Sequence, residues 1–182
     1  MKRSPVTVPF GYEPPDEHVK GTLVFYDAFE DTADHELLGA EKTAEERRFS
    51  RFVLYPLHEE TAKRMLKAPV APFYKRERRL ESWKLEHRSE AVIEVFEAKR
   101  KKYTPMDTAL RHLTDKYPAP HFLYLTPDMA NLFASYSSFR EWIAKLRLIL
   151  SERPKRLHPR LEEHRNRWDV AGEEPADDIK DV

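Results

Sequence analysis

A chain whose charged side chains (35%) nearly match its apolar ones (40%) has little material for a core. The core it can build is therefore modest and rich in large rings, for which ten Phe, eight Tyr and three Trp are present. The 182 residues fit one domain with segments appended at either end. Charge is balanced overall but segregated: residues 1–60 carry a net −6, residues 61–167 a net +11 and residues 168–182 a net −5. A basic body between acidic ends points to a polyanionic partner, or to acidic segments that screen a basic face. The absence of cysteine excludes disulfides, thiolate metal sites and a Cys nucleophile, and suits a reducing cytosol. Met1-Lys2-Arg3 leads into Pro and polar residues, and no window approaches a membrane span. The expectation is a soluble cytoplasmic protein without a membrane partner.

Proline and β-rich runs divide the chain. Residues 1–17 read as an extended arm, with an edge strand at Val6-Thr7-Val8. Strands are expected at 21–26 and 49–55, separated by an acidic loop, and a short helix at 58–67. Residues 75–102 allow a long charged helix or a hairpin. The hairpin is preferred because Trp83 and Leu85 alternate with polar residues and Val92 to Phe96 is rich in β-formers. Thr104-Pro105-Met106-Asp107 and Thr126-Pro127-Asp128 each order a capping hydroxyl, a first-turn proline and a carboxylate, so helices are expected from 105 and 127, with a strand at 121–125 between them. An amphipathic helix over 138–150 and a basic helix over 159–168 follow, and 169–182 reads as a disordered acidic tail. The expected fold class is α+β: a small mixed sheet of about four to six strands packed with about five helices, these concentrated in the C-terminal half, in a single domain over 18–168.

Several constellations could carry chemistry. Glu97 and Lys99, two apart on an expected strand, would share a face on which the carboxylate holds a divalent metal and the ammonium steadies an attacking water. This pair resembles the E-x-K half of the restriction-endonuclease-like nucleases, and the inferred element order is similar to that family's core. The resemblance implies a Mg²⁺-dependent nuclease, with Glu97, Lys99 and a second carboxylate as catalytic residues. The family's usual Asp is missing, since no Asp lies between Asp34 and Asp107, so Glu86, Glu81 or Glu90 would substitute. Asp27, Asp31 and Asp34, in the acidic loop after the first strand, form an oxygen-rich set that would suit Mg²⁺ or Ca²⁺. His58-Glu59-Glu60-Thr61-Ala62 lacks the second histidine of a zinc-protease helix, no G-x-S-x-G is present, and four dispersed glycines exclude a phosphate loop.

Three basic runs, each with an aromatic neighbour, are the strongest positive signal. Lys75, Arg76, Arg78 and Arg79 make the first, Arg100, Lys101 and Lys102 with Tyr103 the second, and the stretch from Arg153 to Arg167, including Arg160 and Arg165, the third. The run Leu146, Leu148, Ile149, Leu150 would clothe more than one face of a helix, which suits a homodimer surface. The leading functional expectation is a non-enzymatic binding protein, without a cofactor, whose basic face takes a nucleic acid or an acidic protein. The nuclease and a homo-oligomeric interaction module are the alternatives.

Overall fold

A computed structural model describes residues 20–174 of the chain. The arm expected over 1–17, with its edge strand, lies outside the described residues, as do residues 175–182 of the acidic end.

Among the described residues six strands form one sheet: β1 (Lys20–Asp27), β2 (Phe49–Pro56), β3 (Val92–Ile93), β4 (His121–Leu125), β5 (Arg147–Leu150) and β6 (Trp168–Val170). Every neighbouring pair is parallel, in the order β3-β2-β1-β4-β5-β6. Eight helices among the described residues alternate with these strands: α1 (Asp34–Glu46), α2 (Glu59–Leu66), α3 (Phe73–His87), α4 (Phe96–Arg100), α5 (Met106–Lys116), α6 (Pro127–Ala134), α7 (Phe139–Ile143) and α8 (Pro159–Glu163). The architecture is thus mixed α/β with an all-parallel sheet. The expected mixed sheet and the expected concentration of helices toward the C-terminal half are both corrected.

Parallel strands covered on both faces need apolar side chains in both directions, and these strands have them. Val24, Tyr26, Val53, Tyr55, Leu123, Leu125, Leu148 and Leu150 point to one face, where α2, α5, α6, α7 and α8 pack. Leu23, Phe25, Phe52, Leu54, Phe122, Tyr124 and Ile149 point to the other, under α1 and α3.

Several expectations change with this arrangement. The acidic loop after β1 continues into α1, whose Leu37, Ala40 and Ala44 recur at helical spacing and are buried. Glu36 accepts the Ala33 N–H at 2.7 Å, and the first-turn carboxylates suit the positive end of the helix. The preferred hairpin is replaced by α3: Phe73, Arg76, Leu80 and Trp83 are buried on one helical face, and Leu85, which seemed to alternate with Trp83, is 82% exposed. The helix expected over 138–150 stops at Ile143, and the apolar run beyond it is β5, buried on both faces. That burial removes the surface on which the homodimer expectation rested. The expected helix 159–168 divides into α8, a 3₁₀ turn and β6, so the sheet extends past residue 168. Helix α5 forms where expected, but Thr104 does not cap it. Its hydroxyl accepts from Arg100 Nε at 2.9 Å, and its N–H donates to Thr61 at 2.9 Å. Thr126 does cap α6, accepting the Met129 N–H at 3.2 Å.

One buried cation ties α3 to the sheet. Arg76 is 3% exposed, and its guanidinium donates to the carbonyls of Ala71, Ala28 and Leu57 at 2.8, 2.8 and 2.6 Å. Ala28 and Leu57 lie just beyond β1 and β2 at the carboxyl edge of the sheet, and Glu59 lies 3.6 Å away as counter-charge. Removing the fork would leave buried carbonyls unpaired and Glu59 without its cation. Arg76→Ala and Arg76→Lys are both expected to cost roughly 3 kcal/mol in urea unfolding, because an ammonium cannot span three divergent carbonyls. A lysine variant as stable as the parent would show that the guanidinium is not the tie.

Candidate functional site

The structure disperses most of the sequence-predicted sites. Glu97 and Lys99 lie on the single turn of α4, not on a strand, so two-residue spacing no longer puts them on one face. Lys99 is exposed, and Glu97 is fully buried. The Glu97 carboxylate accepts from Tyr55 Oη at 2.7 Å and from the His58 N–H at 2.8 Å. Burial raises its pKa, against the lowering effect of these bonds and of the Thr61 hydroxyl. Tyr55 is stacked on Tyr26, centroids 5.2 Å apart, so the carboxylate closes a buried network that staples α4 to β2 and α2. Glu86 is exposed near the end of α3, whose buried residues pack on the opposite face of the sheet. The substitutes Glu81 and Glu90 are exposed as well.

Among the described residues no group of three or more Asp, Glu or His side chains is placed to hold a metal ion. Asp31 and Asp34 face solvent and Asp27 turns inward, which undoes the expected oxygen cage.

The basic runs are largely committed to the fold. Besides Arg76, Arg79 donates to the Thr32 carbonyl, Arg160 to the carbonyls of Ala134 and Tyr136, and Arg167 to those of Ile143 and Leu146. Arg165 donates to the Trp168 carbonyl and lies 4.0 Å over that residue's ring. Arg100 bonds Thr104, and Tyr103 lies beneath the Arg64 guanidinium at 4.3 Å. Lys75, Arg78, Lys101 and Lys102 are exposed, with Arg78 over the Tyr74 ring at 5.7 Å. The first run sits on α3, against one face of the sheet, and α8 and α5 pack on the other. Among the described residues the runs are thus divided between the two faces of the sheet.

The topology points elsewhere. The strand order reverses between β1 and β4, and in open parallel sheets the crevice for ligands lies beyond the carboxyl ends of the strands at such a reversal. The pairing of Phe25 with Tyr124 brings the ends of these strands, Asp27 and Thr126, side by side. The loop over 28–33 contains no glycine, so the Gly-rich turn that seats a dinucleotide pyrophosphate is missing. In its place the chain turns back through Phe29, buried at φ 57°, a left-handed conformation costly for a ring-bearing residue. The turn directs the N–H groups of Ala28 and Phe29 at the Asp27 carboxylate, and the Thr32 hydroxyl lies 3.4 Å from it. Burial outweighs these donors and pushes the Asp27 pKa up to about 6. A buried carboxyl with a raised pKa at the end of a central strand is a recurrent feature of functional sites.

Beyond Thr126 a cleft of about 760 Å³ opens between the ends of β4 and β5. Its walls are the start of α6 (Thr126, Pro127, Asp128, Asn131) and the β5–α8 loop (Glu152, Arg153, Lys155, Arg156, Leu157, His158). The Asn131 amide fixes the loop: it donates to the Arg156 carbonyl and accepts the His158 N–H, both at 2.9 Å. His158 accepts the Arg160 N–H through Nδ1 at 3.0 Å, so the neutral ring carries its proton on Nε2. Arg153 pairs with Glu173 at 2.6 Å. Lys155 and Arg156 are exposed and have no acidic partner among the described residues. The loop follows a strand that sequence reasoning placed inside a helix, so its position was hidden although its charges were visible. Lys155, Arg156, Thr126 and Asn131 carried no motif that would have singled them out.

No family model matches the chain, and no curated protein is significantly similar to it.

Two measurements separate these roles. Since folding raises the Asp27 pKa from 3.8 to about 6, its contribution favours the fold below about pH 4 and is lost as pH rises through about 6. Asp27→Asn is expected to stabilise the protein by ~1–2 kcal/mol at pH 8 and hardly at all at pH 4, by urea unfolding at both. An equal effect at both pH values would contradict the inward carboxyl. Glu97→Ala is expected to cost roughly 3 kcal/mol, by stranding the Tyr55 hydroxyl and the His58 N–H, and Glu97→Gln less than about 1. A stable, folded Glu97→Ala protein would show that the carboxylate is not a staple.

Proposed function

We propose that this protein binds a compact phosphate-bearing anion, of about nucleotide size, in the cleft beyond β4 and β5. The observation that carries this reading is the pair Lys155 and Arg156, cations without acidic partners among the described residues, on a loop pinned by Asn131 at the ligand-binding edge of a doubly wound parallel sheet. A volume of about 760 Å³ is that of a small-molecule site. Arg156 offers a planar fork and Lys155 a mobile point charge, a combination suited to phosphate oxygens. The His158 Nε2–H adds a neutral donor. Asp128 and Glu152, also in the walls, disfavour an anion that lies flat across the cleft and favour one that enters with a single charged end. The separation of the basic runs on two faces of the sheet argues for this small ligand over a polymer that needs a continuous track.

Calorimetric titration with pyrophosphate and with mononucleotides at 50 and 300 mM salt tests the reading, with a labelled oligonucleotide followed by anisotropy alongside. Reversing two phosphate-contacting charges, in Lys155→Glu/Arg156→Glu, is expected to weaken binding at least tenfold. Lys75→Glu/Arg78→Glu on α3 is expected to leave it unchanged. No binding at 50 mM salt, or equal loss in both variants, would overturn the assignment. Oligonucleotide binding lost only in the α3 variant would move the site to that helix.

A further inference from the structure

The cleft that offers Lys155 and Arg156 to a phosphate carries acids as well, and the two signs do not meet. Asp128 and Glu152 are exposed in its walls, and neither pairs with Lys155, Arg156 or another cation among the described residues. Around the cleft opposite charges do close on each other, as Arg140 does on Glu163 at 3.0 Å.

The backbone keeps the two signs apart. Leu125 pairs with Leu150, and the Ser151 N–H donates to the Leu125 carbonyl at 2.9 Å, so β4 and β5 end together. Asp128, in the first turn of α6, and Glu152, just past Ser151, both stand where these strands stop. The first turn of a helix favours a carboxylate, so the Asp128 charge is at home there. Lys155 and Arg156 lie further round the loop, whose Arg156 carbonyl is fixed to Asn131, one turn along α6 from Asp128. One turn rises roughly 5 Å, about the width of a sugar ring.

Resting on the anion-binding reading above, we infer that the ligand is a phosphate ester that also carries a protonated amine. Its phosphate sits on Lys155 and Arg156, and its ammonium lies between Asp128 and Glu152. An ester without the amine gains from the cations, but it strips water from two carboxylates and leaves them without a partner. An ammonium at that end restores a counter-charge to both. The acids thus select against simple phosphate esters of the same size, while the cations hold whatever phosphate is admitted.

Calorimetry on the full chain in mildly acidic buffer at 50 mM salt compares glucosamine phosphate with glucose phosphate, both esterified on the primary hydroxyl. The two differ only in an ammonium against a hydroxyl. The ammonium is expected to tighten binding about fivefold, the scale of a partly exposed ion pair. In Asp128→Asn/Glu152→Gln, which changes exposed side chains only, the two sugars are expected to bind alike. N-acetylglucosamine phosphate, which keeps the nitrogen but not its charge, is expected to bind no better than glucose phosphate. A preference that survives in Asp128→Asn/Glu152→Gln would overturn the inference, and so would an acetylated sugar that binds as tightly as the amine. Equal binding of both sugars by the parent, lost in Lys155→Glu/Arg156→Glu, would overturn the amine and spare the cleft. Pyrophosphate binding without binding of either sugar would do the same. No binding of either sugar or of pyrophosphate would overturn both readings.

Discussion

The carboxyl edge of this sheet depends on a charge exchange between side chains and backbone. Where β1 and β2 end, their loops turn away and leave carbonyls and N–H groups without ladder partners, a cost no buried loop can carry. Arg76 takes the carbonyls of Ala28 and Leu57. Glu97, approaching on the opposite face, takes the next exposed donor, the His58 N–H, together with the Tyr55 hydroxyl. One arginine and one glutamate thus hold α3, α2 and α4 against the ends of two strands, and the loop bearing Asp27 is fixed by the same arrangement. Charged side chains buried in such contacts are not free for a ligand.

That economy explains why charge was a poor guide to the site. Arg76, Arg160 and Arg167 were grouped by sequence with the exposed Lys75 and Lys101, but arginine's fork reaches several carbonyls at once, and here it is used for that purpose. The cations left for a partner at the cleft, Lys155 and Arg156, sit in the same run as Arg160 and Arg165 and differ from them only in where the chain leads. Local composition carries no record of that difference.

Much of the fold was legible. The β-rich runs of β1, β2 and β4 and the Thr-Pro starts near α5 and α6 were placed from residues that act locally. What escaped depends on tertiary burial. Leu146 to Leu150 is as consistent with a helix apolar all round as with a strand covered on both faces, and only the neighbours decide. Helix α3 hides behind its own charges, since one of its four buried positions is an arginine. Helix α1 was concealed by acids that its N-terminus favours. With β5 and β6 unrecognised, the parallel order could not be reached, and without that order the loop after β5 was one basic stretch among three.

The two outermost strands have a consequence of their own. Among the described residues β3 contributes two residues and β6 three, so each flank of the sheet presents a short ladder. Directly after β3, Glu94 is clamped by Lys116 at 2.9 Å and the Tyr117 hydroxyl at 2.6 Å, which draws the chain inward from the flank. A long, flat flank would invite another chain to add itself strand by strand and seed a fibre. Within the described residues the sheet withholds that template on both flanks, and helices cover the apolar faces of its central strands.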